Sequence, residues 1–255
     1  LSFEEKVILI TGAAGEIGKK TAQLFHRKGA RLALVDIDKK ALEDATHELG
    51  LKNCLLIQAD VAKEKEVKNY VQQTIGAYGN IDVFFNNAGI SGKLAEITEV
   101  KTENLEKSID INIKGVFYGL KYVLQIMKRQ NDGVVINTSS VAGLNGSLFL
   151  APYSATKHAV IGLTKTAALE VAKYNIRVNA ICPSPVDTEL MSELDKEKNP
   201  ENPKKARESY SKKIPLGRYA TSEEIANLVA FLSSDQSSFI TGGSYLIDGG
   251  HTASY

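Results

Sequence analysis

The chain has 255 residues, 43% hydrophobic and 24% charged, with 31 basic and 30 acidic side chains and a formal charge of +1. That length can bury a large core without disulfides or metals. The balanced charge offers no basic stripe for nucleic acid and no polybasic block for a membrane surface. No apolar run approaches the ~18 residues of a membrane span. The N-terminus has acidic Glu4 and Glu5 and no signal-peptide pattern. Cys54 and Cys182 lie far apart in apolar runs, as reduced thiols would, so a cytoplasmic location is expected.

Short apolar runs recur: VILI (7–10), LALV (32–35), CLLI (54–57), VFF (83–85), VVI (134–136), VNAI (178–181) and YLI (245–247). They are too continuous for half-exposed strands and read as strands covered on both faces of a parallel sheet. Amphipathic segments separate them, including 18–29, 41–50 and 66–79, each ending on glycine as helices often do. Strand–helix alternation along the whole length predicts a single α/β domain, 1–255, with a Rossmann-type doubly wound parallel sheet. Residues 189–213 break the rhythm with a charged stretch containing NPENP. Because they follow a strand's carboxyl end, where open α/β sheets bind ligands, they are expected to form a helical lid with few buried anchors.

The first run leads into TGAAGEIG (11–18). Gly12 permits a tight turn, Gly15 a close approach to a pyrophosphate, and Gly18 close packing of the following helix. That helix would aim its free N–H groups at phosphates. Asp36 ends the second run, 18 residues beyond Gly18. Its carboxylate can accept from the adenosine ribose hydroxyls of NAD and would repel the 2′-phosphate of NADP. No Arg or Lys occupies 13–17 or 37 to receive that phosphate. The expected cofactor is therefore NAD.

YSATK places Tyr153 and Lys157 four residues apart, on one helix face. A tyrosine hydroxyl, with an ordinary pKa near 10, can give or take the proton of a carbonyl reaction if a nearby ammonium favours tyrosinate. Ser140, 13 residues earlier, can hold the substrate oxygen. The four histidines, 26, 47, 158 and 251, have no ligand spacing, and no metal site is expected.

With NNAG (86–89), Asn112 in DINIKGVFYG, Asp60 in ADV, PSPVDT (183–188) and IDGG (247–250), these motifs make the chain resemble the short-chain dehydrogenase/reductase family over essentially its full length. The usual family pattern TGxxxGxG has Glu16 here at its second glycine, and PSPVDT has Ser184 where glycine is usual. The resemblance implies hydride transfer between NAD and a carbonyl or secondary alcohol. It assigns catalysis to Asn112, Ser140, Tyr153 and Lys157, with Asn112 anchoring a proton-relay water. It assigns the cofactor to Gly12, Gly15, Glu16, Ile17, Gly18, Asp36, Ile37, Asp60, Val61, Asn87, Ala88, Gly89, Tyr153, Lys157, Pro183, Val186 and Thr188.

A homotetramer is also implied, with Val116, Tyr118, Val123, Ile126, Val160, Leu163 and Leu169 as interface positions. The expected pocket wall is Ile90, Ser91, Ser140, Ala142, Leu144, Leu150, Ser184, Leu190 and Met191, mostly apolar and without a cationic clamp. That wall suits a small cyclic ketone. NPENPKKARESY, NAGISGK and DGGHTASY also resemble a family member that reduces a cyclic diketone. The alternative within the family is a 3-oxoacyl-thioester reductase, whose usual NADP preference conflicts with Asp36. A non-catalytic NAD-binding sensor or scaffold is the alternative of another class, and the presence of both Tyr153 and Lys157 weighs against it.

Overall fold

A computed structural model describes residues 1–253, so the last two residues of DGGHTASY lie outside the described residues. In chain order the main elements are β1 (Val7–Thr11), α1 (Glu16–Arg27), β2 (Arg31–Asp36), α2 (Lys39–Glu48), β3 (Leu55–Gln58), α3 (Glu64–Tyr78) and β4 (Val83–Asn86). Next come α4 (Thr102–Ile109), α5 (Val116–Gln130), β5 (Gly133–Thr138), α6 (Ala151–Val171) and β6 (Ile176–Pro183). The chain continues through α7 (Glu189–Lys198), α8 (Pro203–Ser211), α9 (Ser222–Ser233) and β7 (Ser244–Ile247). All seven expected strands form, each within two residues of the apolar run that marked it.

The strands make one parallel sheet in the order β3-β2-β1-β4-β5-β6-β7. Successive side chains on a strand point to opposite faces, so a run such as VILI supplies both. Leu9, Phe84, Val135 and Val178 face α3, α5 and α6, where Val67, Val123 and Val160 close over them. Ile8, Ile10, Phe85 and Ile136 face the other way, onto Ala22 and Phe25 of α1, Leu42 of α2 and Val229 of α9. This two-sided covering is why the runs are continuous rather than alternating.

The same packing corrects part of the interface expectation. Val116, Val123 and Val160 are buried in the chain's own core, and Tyr118, Ile126 and Leu163 pack against it. Only Leu169 of the seven stands clearly free, at 84% exposed. Periodicity marks a helix's apolar face without saying which layer covers it.

Residues 189–213 are largely helical, as expected, but they are anchored. Asp195 of α7 is buried and accepts a hydrogen bond from the Tyr219 hydroxyl at 3.0 Å. Arg207 of α8 pairs with Asp187 at 2.6 Å and lies over the Tyr219 ring, 4.7 Å from its centre. Ala206 is also buried, and Glu197 accepts from the Leu94 amide at 3.1 Å. A charged composition did not reveal these anchors because they are themselves polar and find their partners in distant segments. Burial pushes the Asp195 carboxyl above the usual range, with the Tyr219 hydroxyl opposing that rise.

Candidate active site

The chain leaves β1 toward β2 on one side, while β4 returns on the other, so the sheet forks at their carboxyl ends. The fork is tied by side chains. The Thr11 hydroxyl accepts from the Asn87 and Ala88 amides at 3.0 and 3.2 Å, and Asn87 Nδ2 donates to the carbonyls of Thr11 and Gly12. Thr138 at the end of β5 donates to Asn87 Oδ1 at 3.1 Å. A cleft of about 400 Å³ opens over this junction.

Gly12 and Gly18 stand where a side chain would not fit. Gly12 has φ +63°, and a Cβ there would stand 2.9 Å from Ala88 Cα. At Gly18 a Cβ would meet the Gly12 carbonyl oxygen at 2.2 Å, so only glycine lets α1 start this close to the turn. Gly15 caps α1 without a side-chain hydrogen bond, and a Cβ added there would meet little but the Gly12 oxygen at 3.6 Å. The amides of Glu16, Ile17 and Gly18 have no preceding helical turn to bond and all three residues line the cleft. Glu16 in the usual glycine position is accommodated beside it. This open N-terminus fits the pyrophosphate of a dinucleotide.

At the other end of the cleft Asp36 accepts from Ala14 N at 2.9 Å and Asp38 N at 3.2 Å, one bond to each carboxylate oxygen. Those bonds fix its orientation and leave a lone pair on each oxygen for the ribose hydroxyls. Ile37, Asp60, Val61, Asn87, Ala88 and Gly89 line the same cleft, as the sequence suggested. Ala14, Val35, Ala59, Ile90, Ile111 and Thr138 complete it and were not legible without the fold. The residues present therefore fit NAD.

Tyr153 and Lys157 sit in the first turns of α6, where Pro152 is tolerated because its missing N–H would be unpaired anyway. Lys157 is 4% exposed. Its ammonium donates to the Thr138 carbonyl at 2.8 Å and lies 5.5 Å from the centre of the Tyr153 ring. Burial lowers the Lys157 pKa from 10.5 to about 8. Burial also raises the Tyr153 phenol above its ordinary value, with the Ser140 hydroxyl pulling the other way. Asn112 lies on a π-helical turn, Asp110–Gly115, and is buried outside the cleft lining. Its side chain bonds both backbone groups of Ile90 and the Thr156 hydroxyl. Its side chain therefore fastens the 88–90 loop beside Lys157.

A second cavity of about 180 Å³ adjoins the first and shares Tyr153, Thr138, Ile17, Thr188 and Leu190 with it. Ser91, Ser140, Ala142, Leu150, Ser184, Leu190 and Met191 all line it, as expected. Leu144 does not: it is 41% exposed. Ile90 lines the dinucleotide cleft instead. Pro183 and Val186, expected at the cofactor, line this second cavity rather than the cleft, while Thr188 lines both. The strand end carries them past the fork before α7 begins. The cavity also holds Lys198, Tyr210 and His251, three polar residues that the reading of an apolar wall missed. Among the described residues no three His, Cys, Asp or Glu side chains gather as a metal site would require.

A family model described as enoyl-(acyl carrier protein) reductase matches residues 12–252. A levodione reductase from Leifsonia aquatica is 41% identical over 99% of this chain and 96% of its own. The chain belongs to the short-chain dehydrogenase/reductase family. Within it, a 3-oxoacyl-(acyl-carrier-protein) reductase from Thermotoga maritima is 40% identical over 98% of this chain and 99% of its own. A cyclohexanol dehydrogenase from Acinetobacter sp. strain SE19 is 37% identical over 98% and 96%. Among solved structures, a levodione reductase superposes with a TM-score of 0.97 at 41% identity, covering 99% of this chain and 100% of that one. An NAD+-bound xylitol dehydrogenase gives 0.93 at 36% identity, covering 98% and 100%. As a member of this family the chain is an oxidoreductase acting between CH–OH and C=O groups, and its cleft is built for NAD.

The interior ammonium sets a test of the site's physics. Below pH 8 the folded chain holds a charge in its interior that the unfolded chain keeps in water, so Lys157 costs stability there. From about pH 8 to 10.5 the unfolded chain binds the extra proton, and stability rises with pH. Lys157→Met should melt about 2–4 °C above the parent at pH 7, the shift ~1 kcal/mol gives a chain of this size. The gap should close above pH 10. Calorimetry across pH checks it; a lower midpoint at pH 7 means the bond to the Thr138 carbonyl outweighs the desolvation.

Proposed function

We propose that the protein reduces a small cyclic ketone, or oxidises the matching secondary alcohol, with NAD(H). The observation that carries this reading is the second cavity, whose Ser140 and Tyr153 stand beside the dinucleotide cleft. At about 180 Å³ it falls below the ~300 Å³ where pockets for drug-sized ligands begin, which favours a compact substrate. Leu94, Ala142, Leu150, Leu190, Met191 and Leu194 reward hydrocarbon burial at roughly 25 cal/mol per Å². The cyclohexanol dehydrogenase among the relatives acts, by its name, on a six-membered ring, and that likeness supports the ring.

When bound, NAD(H) gives or takes the hydride. Tyr153 gives its hydroxyl proton to the substrate oxygen in reduction and takes it back in oxidation. Ser140 donates a hydrogen bond to the same oxygen, and its own partners, Ala142 N and the Pro183 carbonyl, keep it in place. Lys157 favours the tyrosinate through its charge and holds the nicotinamide ribose. Asn112 positions the Ile90 loop and, through its π-turn, the relay water. Pro183, Val186 and Thr188 flank the nicotinamide where the two cavities meet. Residues 189–213 cover the substrate, with Leu190 and Met191 touching it.

The second reading, a 3-oxoacyl-thioester reductase, is favoured by the Thermotoga relative. The small cavity and Asp36 weigh against it. A homotetramer is supported by apolar side chains left uncovered on one chain: Leu105 of α4 at 39% exposed, Phe117 of α5 at 47% and Leu169 of α6 at 84%. Closed symmetric assemblies are the usual way such faces are covered. The small-molecule substrate calls for no other partner, and no described helix is long and apolar enough to cross a membrane.

Three measurements test this reading. Tyr153→Phe should lose at least about 10²–10⁴-fold in kcat, the scale of general acid–base catalysis, while cofactor still binds by fluorescence titration; retention of most activity removes Tyr153 from its role. With NADH, kcat/KM should favour cyclohexanone over a short 3-oxoacyl thioester and should fall with NADPH; the reverse order promotes the second reading. Light scattering at micromolar concentration should give four times the chain mass, and a monomer would refute the assembly.

A further inference from the structure

The cavity that holds Ser140 and Tyr153 has a second polar locus on its lid side. Lys198, the last residue of α7, lines the cavity with its ammonium 3.9 Å from the centre of the Tyr210 ring, which α8 contributes. Among the described residues no carboxylate pairs with it. The acidic neighbours on α7 face other partners: Asp195 takes the Tyr219 hydroxyl, and Glu197 takes the Leu94 amide. Lys213 also approaches the Tyr210 ring, at 5.7 Å, so two ammonium groups gather there, with Asp195 the nearby opposing charge. Partial burial and then Lys213 hold the Lys198 pKa below its ordinary value, with Asp195 opposing them. The Tyr210 hydroxyl lines the cavity with no hydrogen bond to a described residue. His251 enters from beyond β7, and its Nδ1 is buried without a partner. Three polar side chains from three segments thus line one small cavity: Lys198 from an exposed position without a carboxylate partner among the described residues, half-buried Tyr210, and His251 with its unpartnered Nδ1.

An ammonium at the cavity wall without a carboxylate partner is free to donate to an acceptor on a bound molecule, and the buried Nδ1 of His251 leaves one more hydrogen-bonding position open. We infer that the substrate carries a second acceptor oxygen, apart from the reacting carbonyl, which Lys198 holds with help from Tyr210 and His251. The substrate class is then a cyclic ketone bearing either another carbonyl or a carboxylate. The Tyr210 ring fixes the ammonium over the cavity mouth, which spares part of the ordering cost of a long side chain. This inference rests on the cyclic-ketone reading and adds specificity to it: Ser140 and Tyr153 find the carbonyl that reacts, and Lys198 finds the oxygen that does not.

The test compares NADH-dependent kcat/KM for cyclohexanone, cyclohexane-1,4-dione and 4-oxocyclohexanecarboxylate in the full chain. One of the two bifunctional ketones should exceed cyclohexanone by about tenfold or more, mainly through KM, the scale of a hydrogen bond to a charged group. Preference for the carboxylate that weakens with added salt identifies an anionic group; preference for the dione, beyond the factor of two for its equivalent carbonyls, identifies a neutral one. Lys198→Met should erase the preference, bringing kcat/KM for the bifunctional ketones down to the value for cyclohexanone, Lys198→Arg should keep most of it, and Tyr210→Phe should lower it. Equal use of all three ketones by the parent overturns the inference while the cyclic-ketone reading stands. So does a Lys198→Met enzyme that keeps the preference or loses activity on all three alike. No turnover of any of the three overturns both.

Discussion

The fork between β1 and β4 is the constraint on which the rest of this molecule depends. Seven parallel strands must be connected by crossovers, and the order reversal beside β1 leaves a gap at the carboxyl ends. The gap would expose unpaired backbone groups if nothing tied it. Thr11 and Asn87 supply the ties, each bonding main-chain atoms across the fork. Gly12 and Gly18 allow the backbones to come that close, since a Cβ at either would overlap its neighbours. The same arrangement turns the start of α1 toward the gap. Structural necessity and dinucleotide binding therefore share one set of atoms.

A second tension lies one strand away. Lys157 sits almost wholly inside the protein with a carbonyl and an aromatic ring for company and no carboxylate. Such a charge is poorly solvated, and burial lowers its pKa to about 8. Asn112 contributes by holding the Ile90 loop against this point: a Cβ on Gly89 would stand 3.1 Å from Asn112 Oδ1 and 3.4 Å from Lys157 Nζ. The π-turn at Asp110–Gly115 is the kind of helical irregularity that recurs at functional sites.

Residues 189–213 show how a polar sequence can make a well-attached element. Their composition suggests solvent and mobility. Yet the Asp195–Tyr219 bond is buried, and Arg207 joins Asp187 and the Tyr219 ring in the same place. A buried carboxylate is tolerated there because its hydrogen bond is satisfied. The anchors also orient α7, which presents Leu190, Met191, Leu194 and Lys198 to one cavity. The element beside this cavity is thus attached electrostatically and has a mixed inner surface.

The sequence alone determined what depends on neighbours along the chain. Strand runs, helix ends, the glycine turn, Asp36 at its strand end and the four-residue step from Tyr153 to Lys157 are local patterns with local physical causes, and each appears where its spacing put it. The reaction class was legible for the same reason. Tertiary structure decided what depends on layers and on distant partners. It placed Val116, Val123 and Val160 in the core rather than on an outer face. It also moved Pro183 and Val186 to the substrate side of Thr188 and sent Leu144 outward. It alone gathered Lys198, Tyr210 and His251 around one cavity. A residue's periodicity records that it has an apolar or polar side; only the packed fold specifies what that side meets.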